Sequence, residues 1–151
     1  MEAEVQGYLT EFGILREQIR DAIKGLNYEA ANWRPLPKDT NSIYVILCHL
    51  AGIDNYWVRH IIGGETIDRD RDAEFRASGH LSEIVKHWEE VFRVSKRILS
   101  KLSSAQLGET RTVIRPDLGS VPVRWCILHH ISHYAVHLGH IQLTRQLWEQ
   151  R

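Results

Sequence analysis

Residues 129–140 read HHISHYAVHLGH, and this short stretch holds five of the chain's nine histidines. On a helical wheel at about 100° per residue, the five imidazoles fall within an arc of roughly 100° and share one helix face. We expect that face to point into a helical bundle. A buried imidazole nitrogen without a partner costs about 1–3 kcal/mol, so five imidazoles together indicate a bound cation or ordered water. The five are His129, His130, His133, His137 and His140.

Three further segments have the same helical pattern. Apolar residues recur at three- and four-residue spacings in residues 3–24, 42–62 and 81–102, and these are the intervals at which side chains share a helix face. Ser120 is a suitable cap for a last helix that has Pro122 in its first turn and runs to about residue 149. We therefore predict an all-α fold, a four-helix bundle built as a single domain over residues 1–151.

The connections between these helices contain few elements that we can predict. The link after the second helix, GETIDRDRDAEFRASG (residues 64–79), alternates in charge and is typical of a solvated loop, not of a binding element. It is long enough to cross over, so a simple up-and-down order of helices is not required. We predict one short extended piece at residues 112–114, and no segment predicts a convincing sheet.

Composition excludes several classes of function. Lys plus Arg and Asp plus Glu both number 19, so the chain lacks the excess basic charge of a nucleic-acid-binding protein. No run of about 18 apolar residues predicts a membrane span, and the first residues lack the apolar segment of a signal peptide. We predict a cytoplasmic, reduced protein in which Cys48 and Cys126 are small core residues and not nucleophiles.

Spacing limits which histidines can bind the same ion. Residues four apart on a helix are neighbours, so His129 with His133, or His133 with His137, can converge on one metal. Residues seven apart are separated by about 10 Å along the axis and fit poorly. A third ligand must come from another helix, and the second helix offers His49 between two leucines. We expect the other histidines of the middle region, His60 and His87, to be surface or packing residues.

The stretch HHISHYAVHLGHIQLTRQL resembles the C-terminal helix of the DinB-like (YfiT-like) superfamily. Helices of that family carry a His-x-x-x-His pair followed closely by a Gly-Gln or Gly-His step, which matches His133, His137 and then Gly139-His140. The family's remaining metal histidine lies in a stretch like HLAGIDNYW, which matches His49. The resemblance implies a DinB/YfiT-like four-helix bundle with a three-histidine divalent-metal site, usually as a homodimer.

The same resemblance implies two kinds of activity. Members include transferases and isomerases that use the small thiols bacillithiol or mycothiol, and metal-dependent hydrolases. Imidazole ligands suit Zn²⁺ or Ni²⁺, and three of them leave a coordination position open. That position can hold water, which leads to hydrolysis, or a low-molecular-weight thiol as co-substrate, which leads to S-transfer. His140 occupies the position where many members have Gln, so the resemblance does not determine which subfamily's chemistry applies.

Other metal chemistries do not fit the residues. HYAVH lacks the glutamate of a HExxH metalloprotease, with Tyr134 and Ala135 in its place. The Glu-x-x-His motifs of di-iron bundles and the CxxCH motif of c-type haem attachment do not occur in the sequence. His130 and His140 remain candidates for orienting a ligand or relaying a proton, and packing with a hydrogen bond is an equal alternative.

Three hypotheses follow from these observations. The first is a metal-dependent enzyme that acts on a small-molecule substrate, the second a non-catalytic metal-binding protein related to stress, and the third a bundle whose histidines only pack. The last helix is also apolar on the face opposite the histidines. We expect that face to meet a second copy in a twofold homodimer. It comprises Leu128, Ile131, Ala135, Leu138 and Gln142.

Overall fold

The computed structural model describes residues 1–114 and 117–151. Its helices include all four predicted long ones, together with three short ones and a two-stranded ribbon. In chain order the elements are α1 (Ala3–Ile23), α2 (Tyr28–Asn32), α3 (Ile43–Asp54) with a π-helical continuation (Asn55–Ile62), α4 (Arg71–Arg76), α5 (Leu81–Leu99), α6 (Ser104–Gly108), β1 (Thr110–Thr112), β2 (Ser120–Pro122) and α7 (Val123–Glu149).

Periodic apolar residues form the core, as their spacing predicts. One stripe of α1 is fully buried, and it consists of Val5, Leu9, Phe12, Leu15, Ile19 and Ile23. The helix α3 is buried on nearly every side, because it packs against both α5 and α7. Its first turn is capped by Ser42, whose side chain accepts a hydrogen bond from the backbone N–H of Val45 at 3.2 Å.

The helices α3 and α5 run in the same direction. Gly79, just before α5, lies against Tyr44 in the first turn of α3, and Ile98 near the end of α5 lies against Gly63 after the π-helical segment. The link between the two helices must therefore return along the whole bundle, which confirms the crossover that its length allows. The helix α4 forms within this crossing link, with Asp70 as its cap.

The start of the last helix differs from the prediction. Ser120 does not cap α7, and Pro122 is not in its first turn, because residues Ser120–Pro122 pair with Thr110–Thr112 as an antiparallel ribbon. The extended piece predicted at residues 112–114 therefore begins two residues earlier. The reason is pairing, since a partner strand supplies the backbone hydrogen bonds that an isolated extended segment lacks.

Within residues 1–114 and 117–151, no helix combines the length and the apolar character needed to span a bilayer.

Candidate metal centre

Three histidine side chains meet in the groove between α3 and α7. The Nε2 atom of His133 lies 2.9 Å from that of His137 and 3.3 Å from that of His49. All three ligand atoms lie within 4.8 Å of one another. Ligands held at 2.0–2.1 Å around one tetrahedral ion are separated by about 3.3 Å, so these nitrogens fit a single divalent cation.

The protonation of this cluster favours metal binding. Burial, followed by the neighbouring imidazoles, lowers the pKa of His133 to about 4 and that of His137 to about 3. Both rings are therefore neutral near pH 7, and each has a lone pair available for a cation. A protonated ring would place a positive charge where the metal has to bind.

A carboxylate fixes the orientation of the third ligand. The Nδ1–H of His49 donates to Oε2 of Glu74 at 3.0 Å, which leaves the Nε2 lone pair directed at the cluster. Arg69 holds the same carboxylate with two hydrogen bonds, at 2.6 and 2.9 Å. Burial alone would raise the pKa of Glu74, but the hydrogen bonds from His49 and Arg69 lower it below its ordinary value.

The contact of Glu74 with His49 corrects the prediction that residues 64–79 only form a solvated loop. Glu74 belongs to α4 and its side chain is nine-tenths buried, so this part of the link takes part in the site. The contact also requires a glycine on α3. A Cβ atom at Gly52 would collide with the Glu74 carboxylate, so a larger residue there would displace this carboxylate from its place beside His49.

Removing the Glu74 carboxylate is expected to weaken metal binding. We expect Glu74→Ala to lower the affinity for Zn²⁺ by about 10–100-fold, because His49 loses the partner that fixes its tautomer and its ring orientation. Competition against a chromophoric chelator measures this change. Glu11→Ala removes an exposed carboxylate from α1 and serves as the control. Equal affinities in the two variants would exclude an orienting role for Glu74.

A second polar cluster lies inside the bundle, next to the three histidines. Asp54 is fully buried and accepts hydrogen bonds from Nε2 of His130 and from the hydroxyl of Tyr134, both at 2.7 Å. The Tyr134 oxygen also accepts from Arg16 and from the indole N–H of Trp88, both at 2.8 Å. This Asp54 cluster ties α1, α3, α5 and α7 together and fixes the rotation of α7.

The Asp54 cluster sets the rotation of α7, and as a result the five histidines point in directions that differ from the prediction. The buried stripe of α7 is centred on His130, Tyr134 and Ile141, not on His133. His133 and His137 lie at its edge, half-buried, and His140 is exposed. The prediction that all five face the interior is therefore wrong. A helical wheel gives relative directions, and the core contacts that set the absolute direction come from other helices.

The two histidines predicted to orient a ligand or relay a proton, His130 and His140, lie in different surroundings. His130 bonds Asp54 and belongs to the Asp54 cluster, away from the three ligand atoms. The Nδ1 atom of His140 lies 3.4 Å from Nδ1 of His137, on the side of that ring turned away from the cluster. His129, which spacing allowed as a ligand, packs its ring on Trp57 and Trp125 and is outside the cluster.

The remaining side chains follow the predictions more closely. His87 is exposed, and Nδ1 of His60 is 2.8 Å from the carbonyl oxygen of Glu65. Burial raises the pKa of both Cys48 and Cys126 to about 11, so neither thiol is a nucleophile near pH 7.

On the face predicted to form a dimer, Leu128, Ala135 and Gln142 are exposed. Leu138 and Ile131 pack on the chain's own core, which corrects that part of the prediction.

A cavity of about 340 Å³ opens onto the three histidines. Its wall combines aromatic rings with cationic side chains, the latter from the start of α4 and the residues before it. Arg69 is bound to Glu74, whereas the guanidinium of Arg71 lies over the ring of Phe75 at 4.9 Å. The cavity is lined by His49, Ile53, Tyr56, Trp57, Arg69, Arg71, Phe75, His129, His133 and His137. We call it the metal-side cavity.

Comparison with known families identifies the chain. The sequence profile of the mycothiol-S-transferase family matches residues 5–150, nearly the whole chain. The chain belongs to the mycothiol-S-transferase family. The family is DinB/YfiT-like, so the match confirms the resemblance drawn from the two histidine motifs. A comparison with curated proteins found no match.

Solved structures show the same fold. A conserved protein from Enterococcus faecalis superposes with a TM-score of 0.81 at 14% sequence identity, over 100% of this chain and 99% of that chain. A DinB-like protein from Bacillus cereus gives a TM-score of 0.76 at 13% identity, over 93% and 90% of the two chains. At these identities the likeness concerns the fold alone, and it confirms the all-α DinB-like fold of this member of the mycothiol-S-transferase family.

Three functional residues were not found from the sequence. Asp54 had a usable signal, since it is an acidic residue inside the apolar run of the second helix. Arg16 had a similar signal on the apolar stripe of α1. Glu74 had none, because its role depends on a crossing link that brings it next to His49.

Proposed function

We propose that this chain is a metal-dependent S-transferase that joins a low-molecular-weight thiol to an electrophilic small molecule. Membership of the mycothiol-S-transferase family implies a thiol substrate. The single observation that supports a metal is the meeting of three imidazole nitrogens at the metal-side cavity. His49, His133 and His137 would hold a divalent cation, with Zn²⁺ or Ni²⁺ preferred by imidazole ligands.

The bound cation would supply a positive charge that lowers the pKa of a thiol from about 8.5 into the neutral range. The chain's own residues do the rest. Glu74 keeps the His49 ring in the tautomer that presents Nε2, and the Asp54 cluster keeps α7 rotated so that His133 and His137 face α3. The aromatic rings of Tyr56, Trp57 and Phe75 line the metal-side cavity and would flank the reacting sulfur.

The transfer step balances without a redox partner. The thiol releases its proton to solvent, and a lone pair on the sulfur forms a bond to the electrophilic carbon. The bond from that carbon to its leaving group breaks, and the leaving group departs with the bonding pair. No general base is required once the sulfur is a thiolate.

Hydrolysis has less support from the geometry. Among the described residues that line the metal-side cavity there is no Asp or Glu to accept a proton from water. The carboxylate next to the cavity, Glu74, is already bound by His49 and Arg69. The cavity therefore offers water no carboxylate base, and membership of the mycothiol-S-transferase family favours a thiol as the nucleophile.

The test is turnover with and without metal. Protein loaded with Zn²⁺ or Ni²⁺ is mixed with mycothiol and a panel of small electrophiles, and the thioether product is measured. We expect removal of the metal by a chelator to lower the rate by at least about 100-fold, and re-addition to restore it. Stoichiometric metal with no turnover over the whole panel contradicts the proposal and supports the non-catalytic, stress-related alternative.

Homodimer formation and a cytoplasmic location both stay predictions. The part of the predicted dimer face that remains exposed is a row spaced by seven residues along α7, formed by Leu128, Ala135 and Gln142. We propose this row as the contact of a twofold dimer, in which small and apolar side chains allow two copies of α7 to approach each other.

A further inference from the structure

A second, larger cavity lies beyond His137, at the other end of the groove between α3 and α7. Its volume is about 570 Å³, within the range of small-molecule sites. Its walls come from the segment before α3, from α3 itself and from the last turns of α7. They include Trp33, Leu36, Ile46, His140, Leu143 and Leu147. We call it the apolar cavity.

The two cavities begin close to each other along both helices that form the groove. On α3, Ile46 lines the apolar cavity and His49, three residues later, lines the metal-side cavity. On α7, His140 lines the apolar cavity and His137, three residues earlier, lines the metal-side cavity, and their Nδ1 atoms are 3.4 Å apart. Three residues correspond to about 4.5 Å along a helix, so each cavity begins about one turn from the other on both walls.

The apolar cavity leaves hydrophobic side chains in water. Leu36, Leu143 and Leu147 are 58%, 54% and 43% exposed, although each lines a concave surface. A ligand that covers them gains roughly 25 cal/mol for each Å² of apolar area removed from water. Trp33 forms one rigid wall, since its ring packs edge-on against Trp148 at a centroid distance of 5.8 Å.

The loop that borders this cavity is under backbone strain. Asp39 lines the cavity with a φ of 60°, in the left-handed region that residues other than glycine seldom adopt. Hydrogen bonds of Thr40 to both the N–H and the carbonyl of Leu36 hold the loop in this conformation. Strained residues held in place by their surroundings are typical of ligand sites.

We propose that the apolar cavity binds the electrophilic substrate, a neutral molecule with an apolar ring-sized body, while the thiol occupies the metal-side cavity. This inference rests on the proposed S-transferase function. The two cavities differ in chemistry as the two substrates do, since the metal-side cavity carries Arg69 and Arg71 and the apolar cavity carries leucines and Trp33. The new sulfur–carbon bond would form beside His137, between the two cavities, where the carbon also loses its leaving group.

The test compares two positions on the same exposed face of α7. Leu143 lines the apolar cavity, whereas Val136, seven residues earlier and 55% exposed, lines neither cavity. Metal-loaded wild type, Leu143→Lys and Val136→Lys are each assayed with mycothiol and two electrophiles. One is 1-chloro-2,4-dinitrobenzene, which has an apolar ring, and the other is iodoacetamide, which is small and polar.

We expect Leu143→Lys to lower kcat/KM for 1-chloro-2,4-dinitrobenzene by about 10-fold or more, because a charged, hydrated side chain replaces part of the apolar wall that the ring would cover. The same variant should keep its metal content and its turnover of iodoacetamide within about twofold of wild type. Val136→Lys should leave both rates unchanged. An equal loss for both electrophiles in Leu143→Lys, or no loss for either, overturns the assignment of the cavity.

Two further measurements separate this inference from the proposed function. Quenching of tryptophan fluorescence by 1-chloro-2,4-dinitrobenzene is measured without thiol and without metal, in wild type and in Trp33→Phe, and the part that Trp33→Phe removes reports binding beside Trp33. That part should be lost in Leu143→Lys and kept in Val136→Lys. Binding that is retained in a protein without any S-transfer refutes the S-transferase and, with it, the role of the cavity as a substrate site. If Leu143→Lys and Val136→Lys both reduce the molar mass measured by light scattering, the face is an interface between copies and the inference fails.

Discussion

Asp54→Ala is expected to destabilise the protein by about 3–5 kcal/mol, the usual cost of removing one partner from a buried charged pair. The Asp54 carboxylate is fully buried and accepts from His130 and Tyr134. Its Oδ2 atom also lies 3.6 Å from the guanidinium of Arg16, which is itself only 1% exposed. Alanine removes the carboxylate that all three partners contact, and their donor groups are then left in a buried cavity without an acceptor.

Urea denaturation followed by circular dichroism measures this loss of stability. Tyr134→Phe provides a graded comparison, since it removes a single hydroxyl and should cost about 1–3 kcal/mol. Asp21→Ala, at an exposed position of α1, is the matched control and should change stability by no more than about 0.5 kcal/mol. A loss for Asp54→Ala no greater than that of the control would show that the buried cluster does not hold the helices together.

His137→Ala is expected to abolish stoichiometric metal binding. The imidazole provides one of only three protein ligands, and loss of an outer partner alone costs about 10–100-fold in affinity, so loss of a ligand should exceed about 100-fold. S-transfer should fall in parallel, because the thiol then keeps its proton near pH 7. Elemental analysis of the purified variant and the thioether assay measure the two effects.

The controls for His137→Ala use a histidine outside the groove. His87 is exposed on α5, and His87→Ala should retain both metal and turnover. The variant is also expected to keep its helical circular dichroism, since His137 is half-buried and contributes no hydrogen bond to the Asp54 cluster. Full metal content in His137→Ala would mean that the cation binds elsewhere, and the three-histidine site would have to be abandoned.

Most of the fold follows from local patterns. The apolar stripes of α1, α3, α5 and α7 were visible because a helix that packs on one side repeats its apolar residues every three or four positions. The start of α7 was not, because Ser120 satisfies the local rule for a helix cap and is overruled by pairing with Thr112. Local capping rules cannot register a strand partner that lies eight residues away.

The site was predictable to the extent that it depends on spacing along one helix. The pair His133 and His137 follows from an interval of four residues, and His49 is predicted as the third candidate ligand from its apolar neighbours and the family motif. The direction of the other histidines could not be derived. It is set by Asp54, on a different helix, which takes His130 into the bundle and leaves His140 in solvent.

The parallel course of α3 and α5 sets a minimum length for the chain between them. The helix α5 has 19 residues, so a connection that returns to its start must span about 28 Å at 1.5 Å per residue. Even a fully extended chain needs about nine residues to reach that far. A tight turn can never replace this segment, so shortening it below that reach would force the two helices into opposite directions. The extra chain that such a return demands is also what provides a second layer over the groove, and Glu74 is part of it.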